Sequence, residues 1–319
     1  MHPAFSVIFL TTLIGAGQGL FLALYCVEVG ARFGWLDRPG AAFYVGGAVI
    51  VCVLMVLGLI ASIFHLGRPE RGWRAASRWR TSWLSREIIV LPAFVTGVVA
   101  YGAAHWLTGV LSVELPLSTL AIGAATSLLS LALFVCTGMI YACLKFLQEW
   151  ASPLTVANYF LLGCASGFTL ATAYAAFAEP GLTSFFGSCA LALTAAALVG
   201  RAASLVRNAR LKPRSTLQSA IGIKHPRIVQ KAQGMMGGAF NTREFFHGRT
   251  RAFLRSVKWI FLLLVFPVPA VLVAVGLTSM SPPLLAAAFG LQYVGLMAER
   301  WFFFAQANHP QNLYYRAVA

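Results

Sequence analysis

Between Ala61 and Glu87 the sequence reads ASIFHLGRPERGWRAASRWRTSWLSRE, a short stretch that carries six arginines, three tryptophans, His65 and Glu87. Histidine titrates near neutrality, and a carboxyl group is the other common proton-exchanging side chain. Gly67 and Pro69 stop a helix just after His65, and Ser85 is placed to cap a helix that starts near Glu87, as glycine and serine do at such ends. Both groups then stand at one level. In a cleft reached from lipid they suit a quinone head group, whose carbonyl oxygens need hydrogen-bond partners and whose reduction consumes protons as well as electrons. Ser82, Trp83 and Arg86 can shape such a pocket, and Tyr141 and Lys145 are expected to reach the same level from another segment. Structural roles are open to the same residues. A carboxylate is favoured at a helix N-terminus, and interfacial tryptophans commonly form a belt.

The elements that must hold these groups follow from composition. Of 319 residues 59% are hydrophobic and 10% are charged, and the mean hydropathy is +0.77. A soluble domain is about 25% charged, so this is an integral membrane protein. A disulfide scaffold, a secreted enzyme and a disordered chain are excluded. A membrane helix needs about 20 mostly apolar residues. Eight runs qualify: Ala4 to Ala31, Phe43 to Phe64, Glu87 to Trp106, Leu117 to Leu144, Leu154 to Phe177, Leu182 to Val206, Trp259 to Leu277, and Leu284 to Phe304. They are continuous and not alternating, which predicts an all-α bundle and not a β-barrel. The first run has no basic leader and is expected to be retained. The chain reads as one transmembrane domain over residues 1–319, with a basic loop inserted at about 207–258.

Charge orients the bundle. With eight spans, both termini and loops 2-3, 4-5 and 6-7 share one side, and that side holds 20 Lys or Arg against two, Arg32 and Arg38, on the other. The positive-inside rule then makes both termini cytoplasmic. Twelve of the basic residues lie between Arg207 and Lys258. That loop contains His225-Pro226-Arg227 and the run MMGGAFNTREFFHG at 235–248, whose aromatics, glycines and charge suit docking on a partner or at the interface. Basic loops beside a bilayer arise from insertion alone, so the net charge of +15 does not imply nucleic acid.

Metal chemistry finds little support. Cys26, Cys52, Cys136, Cys143, Cys164 and Cys189 fall inside spans without C-x-x-C spacing, so no iron-sulfur cluster or zinc site is expected. His65 and His105 end spans on opposite sides, and His2, His225, His247 and His309 lie in loops or tails. No histidine pair shares a depth, so no haem is expected either.

The motif His65-Leu66-Gly67-Arg68-Pro69-Glu70-Arg71, followed by Ser82-Trp83-Leu84-Ser85-Arg86-Glu87 at the junction of spans 2 and 3, resembles the membrane anchor subunit family of dimethyl sulfoxide reductase-type molybdoenzymes. The resemblance covers the chain in span count. It implies a metal-free subunit of the bacterial cytoplasmic membrane, bound to an iron-sulfur electron-transfer subunit and a molybdopterin catalytic subunit, that exchanges electrons with ubiquinone or menaquinone. The substrate reaction then belongs to the partner. His65 and Glu87 match the family's proposed quinol-site histidine and glutamate. Arg86 stands where the dimethyl sulfoxide reductase pattern has Asn, and the 207–258 loop is inserted. The insert and its run Asn-Thr-Arg-Glu-Phe-Phe at 241–246 are more similar to anchors of cytoplasmic sulfite dehydrogenases. The expected function is therefore transfer of electrons from cytoplasmic sulfite to quinone, with oxidation of menaquinol for a dimethyl sulfoxide reductase as the alternative.

A different class, a secondary transporter or anion permease, would use the intramembrane polar residues Gln18, Arg201, Lys258, Glu299 and Arg300 as a path. Transporters place such groups near the midplane, whereas these gather toward one face. Glu299 and Arg300 are successive on a helix and point about 100° apart, so each needs a partner on another helix, as packing contacts or as part of a proton route.

Overall fold

A computed structural model describes residues 1–111, 116–229 and 245–313, and shows no strand among them. The six long helices of the first two-thirds are α1 (Phe5–Arg32), α2 (Ala41–Ile63), α3 (Trp83–Leu111), α4 (Pro116–Ala142), α5 (Pro153–Ala178) and α6 (Thr183–Ala209). A short α7 (Leu217–Ile221) lies in the basic loop, and α8 (Arg251–Val265), α9 (Pro267–Thr278) and α10 (Pro282–Ala305) complete the chain. Each long helix is an apolar run that satisfies its own backbone hydrogen bonds, as lipid requires. Much of the run 235–248 lies outside the described residues. Its end, Phe245, is tied to the segment after α10: its ring stacks on His309 at 3.9 Å and its carbonyl accepts from Asn312 Nδ2 at 3.1 Å.

Among the described residues seven stretches are long and apolar enough to cross a membrane: α1 to α6, and α8 with α9 taken together. The eighth run of the sequence reading forms α10, a helix of 24 residues in which Gln292, Glu299 and Arg300 lower the apolarity. All three are buried, so their polar groups meet protein and not lipid.

Two expectations are corrected. The seventh run is not one helix. It breaks at Phe266, where φ is −113° and ψ −78°, because Pro267 and Pro269 have no N–H to give to carbonyls one turn earlier. Buried Gln292 makes good one loss by donating Nε2 to the Val265 carbonyl at 3.2 Å. The third helix begins at Trp83, not near Glu87. Ser82, rather than Ser85, accepts the orphan N–H, from Ser85 at 3.3 Å, and Ser85 Oγ donates to the Ala75 carbonyl. Glu87 is therefore more than a turn inside the helix, beyond the reach of the N-terminal dipole that acts on the first turn.

α5 is the central helix, packed on α1, α4, α6 and α10. Its approach to α1 is backbone to backbone. A methyl group at Gly19 would run into the Gly163 carbonyl, and one at Gly167 into the Gly19 backbone, the small-residue contact that lets membrane helices touch. Large buried side chains, among them Phe21, Phe94, Tyr101 and Met55, fill the space between α1, α2 and α3. A second aromatic cluster of Trp150, Tyr159, Phe303 and Phe304 lies under the loop between α4 and α5. That loop also receives Arg207 of α6, which donates to the Gln148 and Ala151 carbonyls at 3.0 and 3.1 Å. The ends of α4, α6 and α10 and the starts of α3 and α5 thus meet at one end of the bundle.

Candidate functional site

At that end Glu87 is half-buried, and the Thr137 hydroxyl of α4 donates to its carboxylate. Behind the pair lies a cavity of about 20 Å³ whose polar lining includes Gln18, Ser166, Tyr159 and Arg300. This is room for about one water. Gln18 is fixed by donating Nε2 to the Ser130 carbonyl at 2.8 Å.

Arg300 leads to a buried charge cluster. Arg201 Nε of α6 is 2.8 Å from Glu299 Oε1, and Arg300 Nη1 is 3.4 Å from Glu299 Oε2. Arg201, Glu299 and Arg300 are 2%, 1% and 4% exposed. The Arg300 guanidinium lies 3.6 Å over the Tyr159 ring, while that of Arg201 faces Phe261 at 5.4 Å. The successive residues on α10 do find partners on α6 and α5, and they also pair with each other. A second cavity, of about 10 Å³, is bordered by Glu149, Asn158, Ser204, Glu299 and Arg300. Two guanidiniums stand against one carboxylate in this cluster; two further acids lie near, Glu149 bordering the second cavity and Glu87 the first.

The other residues named from the sequence are not gathered around this cavity. His65 is exposed just beyond α2, and partial burial pushes its imidazole below the ordinary 6.5. Arg86 is a clasp: it lies 4.2 Å over the Trp83 ring and donates Nε to the Trp79 carbonyl at 2.9 Å and Nη2 to the Arg80 carbonyl at 2.8 Å. It thereby folds the 3-10 run Pro69–Arg78 back onto the start of α3. Tyr141 packs among Trp150, Tyr159 and Phe303 at centroid distances of 5.3, 5.7 and 5.5 Å. Lys145 is exposed and lines a groove on the outside of α4 and α5. Thr137, Ser166 and Tyr159 went unnoticed in the sequence, because a lone hydroxyl in an apolar helix most often bonds back to its own turn. Gln18 and Arg201 were visible as polar residues inside spans, but not the face they occupy.

His105 belongs to a separate cluster toward the other end of α3. Its Nε2 is 3.5 Å from Glu28 Oε1, Tyr101 donates to Glu28 Oε2 at 2.7 Å, and Tyr44 stacks on the imidazole at 4.1 Å. Among the described residues no group of three or more His, Cys, Asp or Glu is placed to hold a metal ion.

Comparison with known proteins agrees with this architecture. The chain is 53% identical, over an alignment of 328 positions that covers 100% of both, to a sulfite dehydrogenase subunit of Allochromatium vinosum. It is 33% identical over 132 residues, 40% of this chain and 44% of the relative, to "Anaerobic dimethyl sulfoxide reductase chain YnfH" of Escherichia coli. Residues 1–305 match the family described as "DMSO reductase anchor subunit (DmsC)". With nearly the whole length matched, this multi-helix membrane chain belongs to the DMSO reductase anchor subunit family.

Proposed function

We propose that the chain is the membrane anchor and quinone-reactive subunit of a molybdopterin and iron-sulfur oxidoreductase, and that it passes electrons from cytoplasmic sulfite to the quinone pool of a bacterial inner membrane. The observation that carries the quinone reading is Glu87, a carboxylate held by Thr137 at the wall of a polar cavity, at the bundle end that also bears His65. The sulfite assignment rests on the full-length similarity to a sulfite dehydrogenase subunit; the match to the dimethyl sulfoxide reductase chain spans 40% of this one. The permease reading loses its main support, since Arg201, Glu299 and Arg300 are spent on one another and on aromatic rings.

The residues suit a quinone by chemistry: a carboxyl group and an imidazole can each hold or release a proton, and Arg86, Trp83 and Ser82 fix the loop between them. When bound, a quinone supplies two-electron, two-proton redox chemistry. Glu87 is placed to exchange protons with the adjoining cavity, which has room for about one water and not for a ring. His65, held below 6.5 by partial burial, is neutral at pH 7 and so can accept a hydrogen bond or a proton. Of the two proton-route candidates, Arg300 borders both cavities and Glu299 borders the second. Eight spans, with α10 as the last, put the basic loops and both termini in the cytoplasm.

Isolation from membranes tests the assignment. The affinity-purified chain should bring iron and molybdenum with it and reduce a quinone analogue with sulfite. A chain that purifies without either metal under mild detergent would refute it.

A further inference from the structure

The cavity beside Glu87 is far too small for an aromatic ring, yet ligand sites of about 300–1,000 Å³ are the rule for molecules of quinone size. One groove of that size touches it. Between α4 and α5 lies a groove of about 730 Å³, lined along its length by Val135, Met139, Val156, Ala157 and Phe160. Lys145 and Ser152 stand at its loop end. Val135 is exposed on this face, so the groove opens toward lipid. Its inner wall includes Phe134, and the same Phe134 lines the Glu87 cavity. Phe134 is edge-on to Phe160 at 5.4 Å, and one turn further along α4 is Thr137, which holds Glu87. A single aromatic ring therefore separates a long apolar groove from the proton-exchanging carboxylate.

Another large groove among the described residues, about 550 Å³ between α2 and α3, does not share a residue with the Glu87 cavity. The α4–α5 groove is thus distinguished by its contact with the site through Phe134. Its apolar walls suit a long hydrocarbon chain, which describes both a phospholipid and the tail of a quinone. Contact with the Glu87 cavity through Phe134 favours the quinone.

Resting on the quinone reading above, we propose that the α4–α5 groove receives the isoprenoid tail of the quinone and that Phe134 is the gate between groove and Glu87. The apolar walls hold the tail, and displacement of the Phe134 ring opens the way from the groove to Glu87 for the head group.

The test uses the whole complex and two probes, a benzoquinone with a single isoprene unit and one with ten. Ala157→Trp fills the groove from a half-exposed position without introducing charge. It should raise the KM for the long-tailed quinone about tenfold, the size of effect that about two lost methylene contacts produce, and leave the short-tailed KM and kcat unchanged. An azido-labelled long-tailed quinone should crosslink to α4 or α5 in the wild type and lose that labelling in Ala157→Trp, a readout independent of turnover. Phe134→Ala should raise the turnover of the short-tailed probe. Crosslinks confined to other helices, or equal KM changes for both probes, would overturn the groove. So would phospholipid retained by the wild-type complex and lost from Ala157→Trp with the long-tailed KM unmoved. Short-tailed turnover that ignores Glu87→Gln would instead overturn the quinone site itself, so the two failures are separable.

Discussion

At the scale of single residues, the proposed site is a carboxyl group with one fixed partner. Thr137 holds Glu87 in place by a hydrogen bond, a kind worth about 0.5–1.5 kcal/mol net. Thr137→Val keeps the shape and removes the donor. It should leave the helix content and assembly of the complex intact while cutting quinone-linked turnover about tenfold, less than the 10²–10⁴-fold that outright loss of a general acid or base costs; unaltered turnover in membranes holding equal amounts of the complex would show that the contact is only structural. His65, Glu87 and Arg86 were legible in the sequence because polar side chains beside apolar spans are costly unless used. Their joint geometry was not. Arg86 reaches backward to carbonyls at Trp79 and Arg80, and nothing in its spacing says so. Thr137 and Tyr159 each gave no more signal than any hydroxyl in a helix, because the rotation of a helix about its axis decides whether such a group faces lipid or cavity.

That rotation is set between elements. Gly19, Gly163 and Gly167 bring α1 and α5 into backbone contact, and this is what turns Gln18 and Ser166 into the cavity shared with Glu87. The spans themselves could be read from the sequence, since long apolar runs leave the backbone no alternative to a helix. The break at Phe266 could have been read as well, from Pro267 and Pro269. Its repair by Gln292, 27 residues on, is a tertiary event with no local trace. Gln292→Leu leaves the Val265 carbonyl buried and unpaired, which costs about 1–3 kcal/mol. Thermal unfolding of the purified protein in detergent should show the loss, whereas an unchanged midpoint would mean that another group takes the carbonyl.

Across the described residues, one polar cluster lies at the end where the α4–α5 loop, Arg207 and the start of α3 meet, and a second, of Glu28, Tyr101 and His105, lies toward the other end; the basic loops emerge from the first. On the proposed eight-span topology the first end is the cytoplasmic one. On that proposal, a sulfite-oxidising partner docked there would need no export and would stand a short electron-transfer distance from Glu87. Twelve basic residues between Arg207 and Lys258 would guide its assembly electrostatically. Protease added to right-side-out spheroplasts should leave the 207–258 loop intact and cut it only after lysis. Cleavage from outside would invert the bundle and place the redox partner in the periplasm.

The central claim, that electrons leave the complex for quinone at Glu87, is met most directly by one comparison. Sulfite oxidation in Glu87→Gln membranes is measured with an artificial dye acceptor and then with a quinone. Gln keeps the size and the hydrogen-bonding capacity of the side chain but cannot exchange a proton. Dye-linked oxidation should stay at the wild-type rate while quinone-linked oxidation falls by about 100-fold, as loss of a general acid or base does. Equal rates with quinone in the variant and the wild type would contradict it.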